Sequence, residues 1–203
     1  MAYKYDVFLS YSRLYPMGDW VNDIFFPLFK PYLDDALNKD TLIFKDILEI
    51  KSGNDWAMRI RNGLIHSKVM VSIFNPGYFR SEWCMREFAV MNHRQKELGY
   101  LTQSNPNGLI VPVKIFDGEH FPDYATCIQT LDCIKYNRVG PAVKNTPMFL
   151  DFQEELQKWV YQVASAIEKC PDWDAQWLEN DWVDKPYDAI TLKTIPIISA
   201  PTL

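Results

Sequence analysis

The stretch RSEWCMREF, Arg80 to Phe88, sets an acid, Glu87, four positions after a tryptophan, Trp83. On a helix the two lie one turn apart on a common flank. Two readings of Glu87 stand side by side. It is a first-turn helix acid, favoured by the macrodipole by under about 1 kcal/mol, or it is an acid held in a pocket for chemistry. Other arrangements with catalytic spacing are missing. The eight glycines form neither G-x-G-x-x-G nor G-x-x-x-x-G-K-[ST], which disfavours an ordinary ATPase or dinucleotide-binding dehydrogenase. There is no G-x-S-x-G elbow, and His66, His93 and His120 stand in no recognisable arrangement with a Ser or Cys, so triad hydrolysis lacks support. A lone carboxylate remains as the candidate for chemistry.

The elements that must hold it can be read from the apolar runs. YDVFLSY (Tyr5 to Tyr11), TLIF (Thr41 to Phe44), VMVSIF (Val69 to Phe74), LIVPVKI (Leu109 to Ile115) and a weaker CIKY (Cys133 to Tyr136) read as strands buried on two faces. Segments with helical spacing lie between them. Phe149, Phe152, Leu156, Trp159, Val160, Val163 and Ile167 step by threes and fours and predict a helix that closes the sheet. Trp56, Ile60 and Leu64 make a second stripe, with Asn54 or Asp55 available as its cap. Cys84, Phe88 and Met91 form the inward stripe of a third helix, with Trp83 and Glu87 on its flank, neither fully inside nor on the far solvent face. DALNKD and QSNPNG are turn-like breaks, and NRVGPAVKNTP (Asn137 to Pro147) reads as a connecting loop.

Five strands alternating with helices predict an α/β flavodoxin-like fold, a five-stranded parallel sheet with helices on both faces. Ligands of such sheets sit at the carboxyl ends of the strands. The pocket is therefore expected from the loops after YDVFLSYS, TLIFKD and VMVSIFN.

The totals narrow the class. A chain of 203 residues with 48% hydrophobic and 23% charged residues is a folded protein with one core. Residues 1–170 read as the domain and 171–203 as an acidic, Trp-rich appendage. Its Trp173, Trp177 and Trp182 would form an aromatic face, either packed onto the domain as a lid or offered to a partner. A formal charge of -5 argues against nucleic acid as a partner. Cys84, Cys127, Cys133 and Cys170 include no C-x-x-C pair and stand apart from the histidines, which predicts reduced thiols, no metal site and a cytoplasmic location. No apolar run suits a signal-peptide core or a membrane span.

These blocks, in this order, resemble a TIR (Toll/interleukin-1 receptor) domain. YDVFLSYSR is similar to the opening strand motif of the family. The long segment from FKDILEI through SIFNPGYFRSEWCMREF resembles the loop, helix and strand that follow, and LIVPVKI resembles the fourth strand. The likeness runs from Tyr5 to about Ile167, and Trp83 with Glu87 matches the W-x-x-x-E pattern of members that cleave NAD+. The resemblance implies a stand-alone protein of bacterial type that hydrolyses or cyclises NAD+, its substrate, without a further cofactor, and that acts in anti-phage immune signalling. It implies self-association through TIR domains and a separate sensor or effector protein. The alternative is a non-catalytic scaffold or effector working through TIR–TIR contacts by the loop EIKSGNDW.

Under this resemblance Glu87 is the catalytic acid. Further ligand-binding candidates are Ser10 at the end of the first strand, Arg13 facing a phosphate, Asp46 in the second block, Trp56 in the mobile loop, Asn75 after the third strand, and Trp83 as a pocket wall. Gly77 and Tyr78 follow Asn75. Each has a plainer reading: Arg13 as a surface charge, Asp46 as a turn acid, Trp56 as the first rung of its core stripe.

Overall fold

The computed structural model describes residues 2–45, 60–102, 108–126 and 128–178. Its centre is a sheet of five parallel strands: β1 (Tyr5–Tyr11), β2 (Ile43–Lys45), β3 (Ser67–Phe74), β4 (Ile110–Lys114) and β5 (Leu131–Asp132), in the order β2-β1-β3-β4-β5. The inner strands are buried on both faces, as continuous apolar runs require: Val7, Phe8, Leu9, Val69, Met70, Val71 and Ile73 are all at most 2% exposed. The order reverses between β1 and β3, and the carboxyl ends of the strands at such a switch point are where sheets of this kind take their ligands.

One layer of helices crosses the first face. It begins with α1 (Met17–Asp19), passes through a π-helical turn at Trp20–Phe25 and continues as α2 (Phe26–Leu37). The Phe26 amide donates to the Val21 carbonyl five residues back. The turn is widened there, just before Pro27, whose missing N–H could not have continued the ordinary ladder. Packed against α2 is α7 (Pro147–Glu168), and the two bury one aromatic cluster in which Trp20 stacks on Phe25, Phe25 on Phe29, and Trp159 tilts against Phe29. The Trp20 Nε1 donates to the Tyr136 carbonyl at 2.8 Å, so the buried indole is satisfied. The closing helix runs as its spacing predicts, and Thr146 caps it by accepting the Phe149 amide at 3.3 Å. Thr146→Ala should lower stability by about 1 kcal/mol, read as a lower urea midpoint with an unchanged slope.

The opposite face carries residues 60–65 (α3), α4 (Pro76–Arg80), α5 (Glu82–Glu97) and α6 (Asp123–Thr126). Ile60 and Leu64 are buried as their stripe predicts, while Trp56 lies outside the described residues, as do Asp46, Cys127 and the loop EIKSGNDW. Phe8 and Phe44 stack at 5.1 Å beneath α3.

The fifth strand differs from its expectation. CIKY is a 3₁₀ turn at Ile134–Tyr136, and the pairing with β4 is made by Leu131 and Asp132 just before it. Cys133 and Tyr136, three residues apart, are both buried, and a spacing of three is that of a 3₁₀ turn rather than of an alternating strand. The loop expected over NRVGPAVKNTP contains a further 3₁₀ turn at Pro141–Asn145.

The end of the described chain returns to the amino edge of the sheet. Trp173 stacks on His66 at 5.3 Å and its Nε1 donates to the Ile65 carbonyl at 3.2 Å. Trp177, in a 3₁₀ turn at Ala175–Leu178, lies 4.2 Å from the guanidinium of buried Arg94 on α5. That guanidinium also donates to the Ser67 carbonyl and to the Tyr3 hydroxyl, each at 2.6 Å. Both tryptophans thus pack on the domain; Trp182 is outside the described residues. Among the described residues no helix is long and apolar enough to cross a membrane.

Candidate functional site

At the β1/β3 switch point four side chains meet. Ser10 of β1 and Ser72 of β3 are register partners, so their hydroxyls lie side by side on the face covered by α4 and α5. Ser10 Oγ donates to Glu87 Oε2 at 2.5 Å and lies 3.0 Å from the Tyr78 hydroxyl, which in turn is 3.4 Å from Ser72 Oγ. Ser10, Ser72 and Tyr78 are at most 1% exposed, and Glu87 is 7% exposed.

Two caps fix the helices that bring these groups in. Asn75 starts α4, its Oδ1 accepting the Tyr78 amide at 2.6 Å. Ser81 starts α5, accepting the Cys84 amide at 3.4 Å. Because α5 begins at Glu82, Glu87 sits in the second turn, and the first-turn acid is Glu82. The macrodipole reading therefore does not apply to Glu87, since that field fades within one turn. Nor does Glu87 stay on a flank: it is inside, and Trp83 one turn earlier is 39% exposed with the Arg86 guanidinium 5.1 Å from its ring. Four residues on a helix advance by about 40° beyond a full turn, enough to part an inner from an outer position at the edge of a packed face.

Burial dominates the electrostatics. It pushes the Glu87 carboxyl up from 4.5 to about 7, against the Ser10 hydrogen bond and the positive charge of Arg13, which both pull down. Near neutral pH the group is poised between its two forms, as a functional acid or base often is. The same surroundings raise Tyr11, through burial and the Glu87 charge against Arg13, and push the Cys84 thiol up to about 12, mainly through burial. A thiol so raised is no nucleophile at pH 7.

Of the residues singled out in the sequence, Ser10 and Glu87 are in contact and Arg13 is coupled to Glu87 through its charge. Gly18 lets α1 start against the Arg13 turn, since a Cβ there would stand 2.7 Å from the Arg13 carbonyl oxygen. Asn75 spends its side-chain oxygen on the Tyr78 amide and so supports the site from behind. Trp83 lies one turn before Glu87 and faces outward, and Asp46 and Trp56 lie outside the described residues. Sequence reasoning passed over Ser72 and Tyr11. Ser72 had a legible signal: VFLSY and VMVSIF are apolar runs that each carry one serine near the carboxyl end, and adjacent parallel strands bring two such hydroxyls together. Among the described residues no group of three His, Cys, Asp or Glu side chains is gathered as a metal ion would need.

The family model described as TIR domain matches residues 7–140. A curated relative from Brachypodium distachyon, named probable 2' cyclic ADP-D-ribose synthase BdTIR, is 30% identical over 77 residues, which is 37% of this chain and 34% of that protein. The match thus spans about a third of the relative's length. Among solved structures, the TIR domains of the activated Roq1 resistosome directly recognising the pathogen effector XopQ align with a TM-score of 0.41 at 20% identity, over 80% of this chain and 84% of that one. With a family match across more than half of its length and the parallel sheet order β2-β1-β3-β4-β5, the chain belongs to the TIR domain family.

Proposed function

We propose that this protein cleaves the nicotinamide–ribose bond of NAD+, releasing nicotinamide with ADP-ribose or a cyclic ADP-ribose isomer, and that Glu87 is the catalytic carboxylate. The observation that carries the reading is a single buried acid at the strand switch point, hydrogen-bonded by Ser10 and poised near neutrality. The name of the Brachypodium relative, a cyclic ADP-ribose synthase, supports the same class of reaction.

The chemistry needs few groups. The departing nicotinamide leaves a cationic pyridinium as a neutral molecule, so it requires no proton. Positive charge gathers instead on the anomeric carbon and the ring oxygen of the ribose. An ionised Glu87 beside that sugar stabilises the charge, and a carboxylate held in a dry site does so far better than one in water. Arg13 favours the ionised form and offers charge to the phosphates of the substrate. Water or the adenine base then attacks the anomeric carbon, giving the open or the cyclic product.

The reading extends to a cytoplasmic protein, consistent with the free thiols of Cys84, Cys133 and Cys170, that self-associates through its TIR domain and takes its trigger from a separate sensor in bacterial anti-phage signalling. Chromatographic analysis of products from NAD+, for wild type beside Glu87→Gln at high protein concentration and with an activating partner, is the direct test. Nicotinamide release that survives in the variant, or is absent from the assembled wild type, overturns it.

A pH profile follows from the same group. Because the ionised form is the active one, kcat/KM should fall about tenfold per pH unit below about 7 and level off above it. In the complex the substrate's positive charge favours the carboxylate, so the acid limb of kcat should lie at lower pH than that of kcat/KM. Steady-state rates from pH 5 to 9 check both limbs.

A further inference from the structure

Glu87 does not end its hydrogen-bond chain at Ser10. The Tyr78 hydroxyl is wholly buried between Ser10 at 3.0 Å and Ser72 at 3.4 Å, and it has one proton to give. When Glu87 is ionised it can only accept, so the Ser10 proton points at Oε2, and Ser10 in turn accepts from Tyr78. When Glu87 is protonated its hydroxyl can donate to Ser10; Ser10 is then free to donate to Tyr78, whose own proton turns to Ser72. The ionised acid thus fixes one direction along the row of hydroxyls, and the protonated acid opens the opposite one.

We propose that Tyr78 and Ser72 are positioning residues for Glu87: the Tyr78 hydroxyl swings between Ser10 and Ser72 as the acid changes charge, stabilising the carboxylate through Ser10 in one state and resting on Ser72 in the other. No proton passes along the row; the hydroxyls only turn, and the proton of Glu87 exchanges with solvent. The ionised acid receives the Ser10 proton in a charge-assisted bond that the Tyr78 donation behind it strengthens, so the row favours the carboxylate. The charged or titratable groups that also act on this cluster are Arg13 and Tyr11 from the end of β1 and the loop after it, and Cys84 from α5. The inference rests on the proposed role of Glu87 only for its catalytic consequence; the geometry stands without it.

The two ends of the row predict opposite effects, which a mere packing role does not. Tyr78→Phe removes a donation that backs the charge-assisted bond of the ionised state but only a neutral contact of the protonated one, so the Glu87 midpoint should rise, with its ionisation constant lowered about fivefold, the usual margin of a charge-assisted over a neutral hydrogen bond. Ser72→Ala removes the resting acceptor of the neutral state, so the midpoint should fall by a smaller factor, because the 3.4 Å contact is the weaker one.

Carboxyl carbon NMR of protein labelled at glutamate, with Glu87→Gln to assign the signal, measures each midpoint directly, and nicotinamide release from pH 5 to 9 gives the catalytic readout. The proposal is supported when the midpoints move in opposite directions and the acid limb of kcat/KM moves with each. Unchanged midpoints overturn it, as do midpoints that shift in the same direction, or a uniform loss of rate at every pH with the midpoint in place. Opposite shifts in a protein that releases no nicotinamide, even when assembled, would uphold the hydroxyl row and overturn the NAD+ reading.

Discussion

Glu87→Gln should lower the rate of nicotinamide release from NAD+ by at least about a hundredfold while leaving the fold intact. Glutamine keeps the shape of the side chain, and its amide oxygen can accept the Ser10 hydrogen bond that now reaches Oε2 at 2.5 Å. What it lacks is the negative charge. Removing one preorganised electrostatic contact at a water-poor site typically costs about 3 to 4 kcal/mol of transition-state stabilisation, and each 1.4 kcal/mol is a factor of ten. The loss should appear in kcat as well as in kcat/KM, because the charge on the sugar develops only as the bond breaks. An effect confined to KM would mean that Glu87 merely binds substrate.

The same substitution should stabilise the protein, and only at high pH. In the unfolded chain Glu87 titrates near 4.5, and in the folded protein near 7. Between those values the folded state binds the proton more tightly, so stability falls as pH rises. The penalty is absent well below 4.5, grows through neutrality and is complete above 7, where the gap amounts to about 3 kcal/mol. Glutamine carries no such penalty. In paired urea melts the difference between variant and wild type should therefore be about 3 kcal/mol larger at pH 8.5 than at pH 4.5, and the other titrating groups cancel in the subtraction. A difference that does not depend on pH would show that Glu87 is not desolvated in the native protein. The two expectations belong together: an acid kept where its charge is least comfortable lowers stability in exchange for reactivity, as functional sites commonly do.

Hydrophobic spacing carries much of the architecture into view before any coordinates. The apolar runs at Tyr5–Tyr11 and Val69–Phe74 read as strands covered on both faces, the stripe from Phe149 to Ile167 reads as a helix against them, and the structure has both. Spacing fails where an element is short. At Cys133–Tyr136 four apolar-rich residues cannot tell a strand from a 3₁₀ turn, and a neighbouring pair of residues makes the sheet contact instead. Likewise, the stripe of α5 identifies Cys84, Phe88 and Met91 as inward, but Glu87 stands at its margin, where a small rotation of the helix decides between solvent and interior.

For this protein, then, the order of residues along the chain was enough to determine the alternation of strands and helices and the parallel sheet, and its likeness to a family nominated Glu87, with Ser10 and Arg13 as candidates for binding a ligand. Those properties follow from local periodicity and from motifs that lie within a few residues of one another. Tertiary structure alone decided that Glu87 is buried in the second turn of α5 while Trp83 faces outward, and that Ser72 and Tyr78 complete a row of hydroxyls behind it. Ser10, Ser72 and Glu87 are far apart in sequence, and only the register of β1 on β3 and the docking of α5 bring them within hydrogen-bond reach. The ionisation of the acid is likewise a property of that packing, because desolvation depends on everything that surrounds a group and not on the residues beside it in the chain.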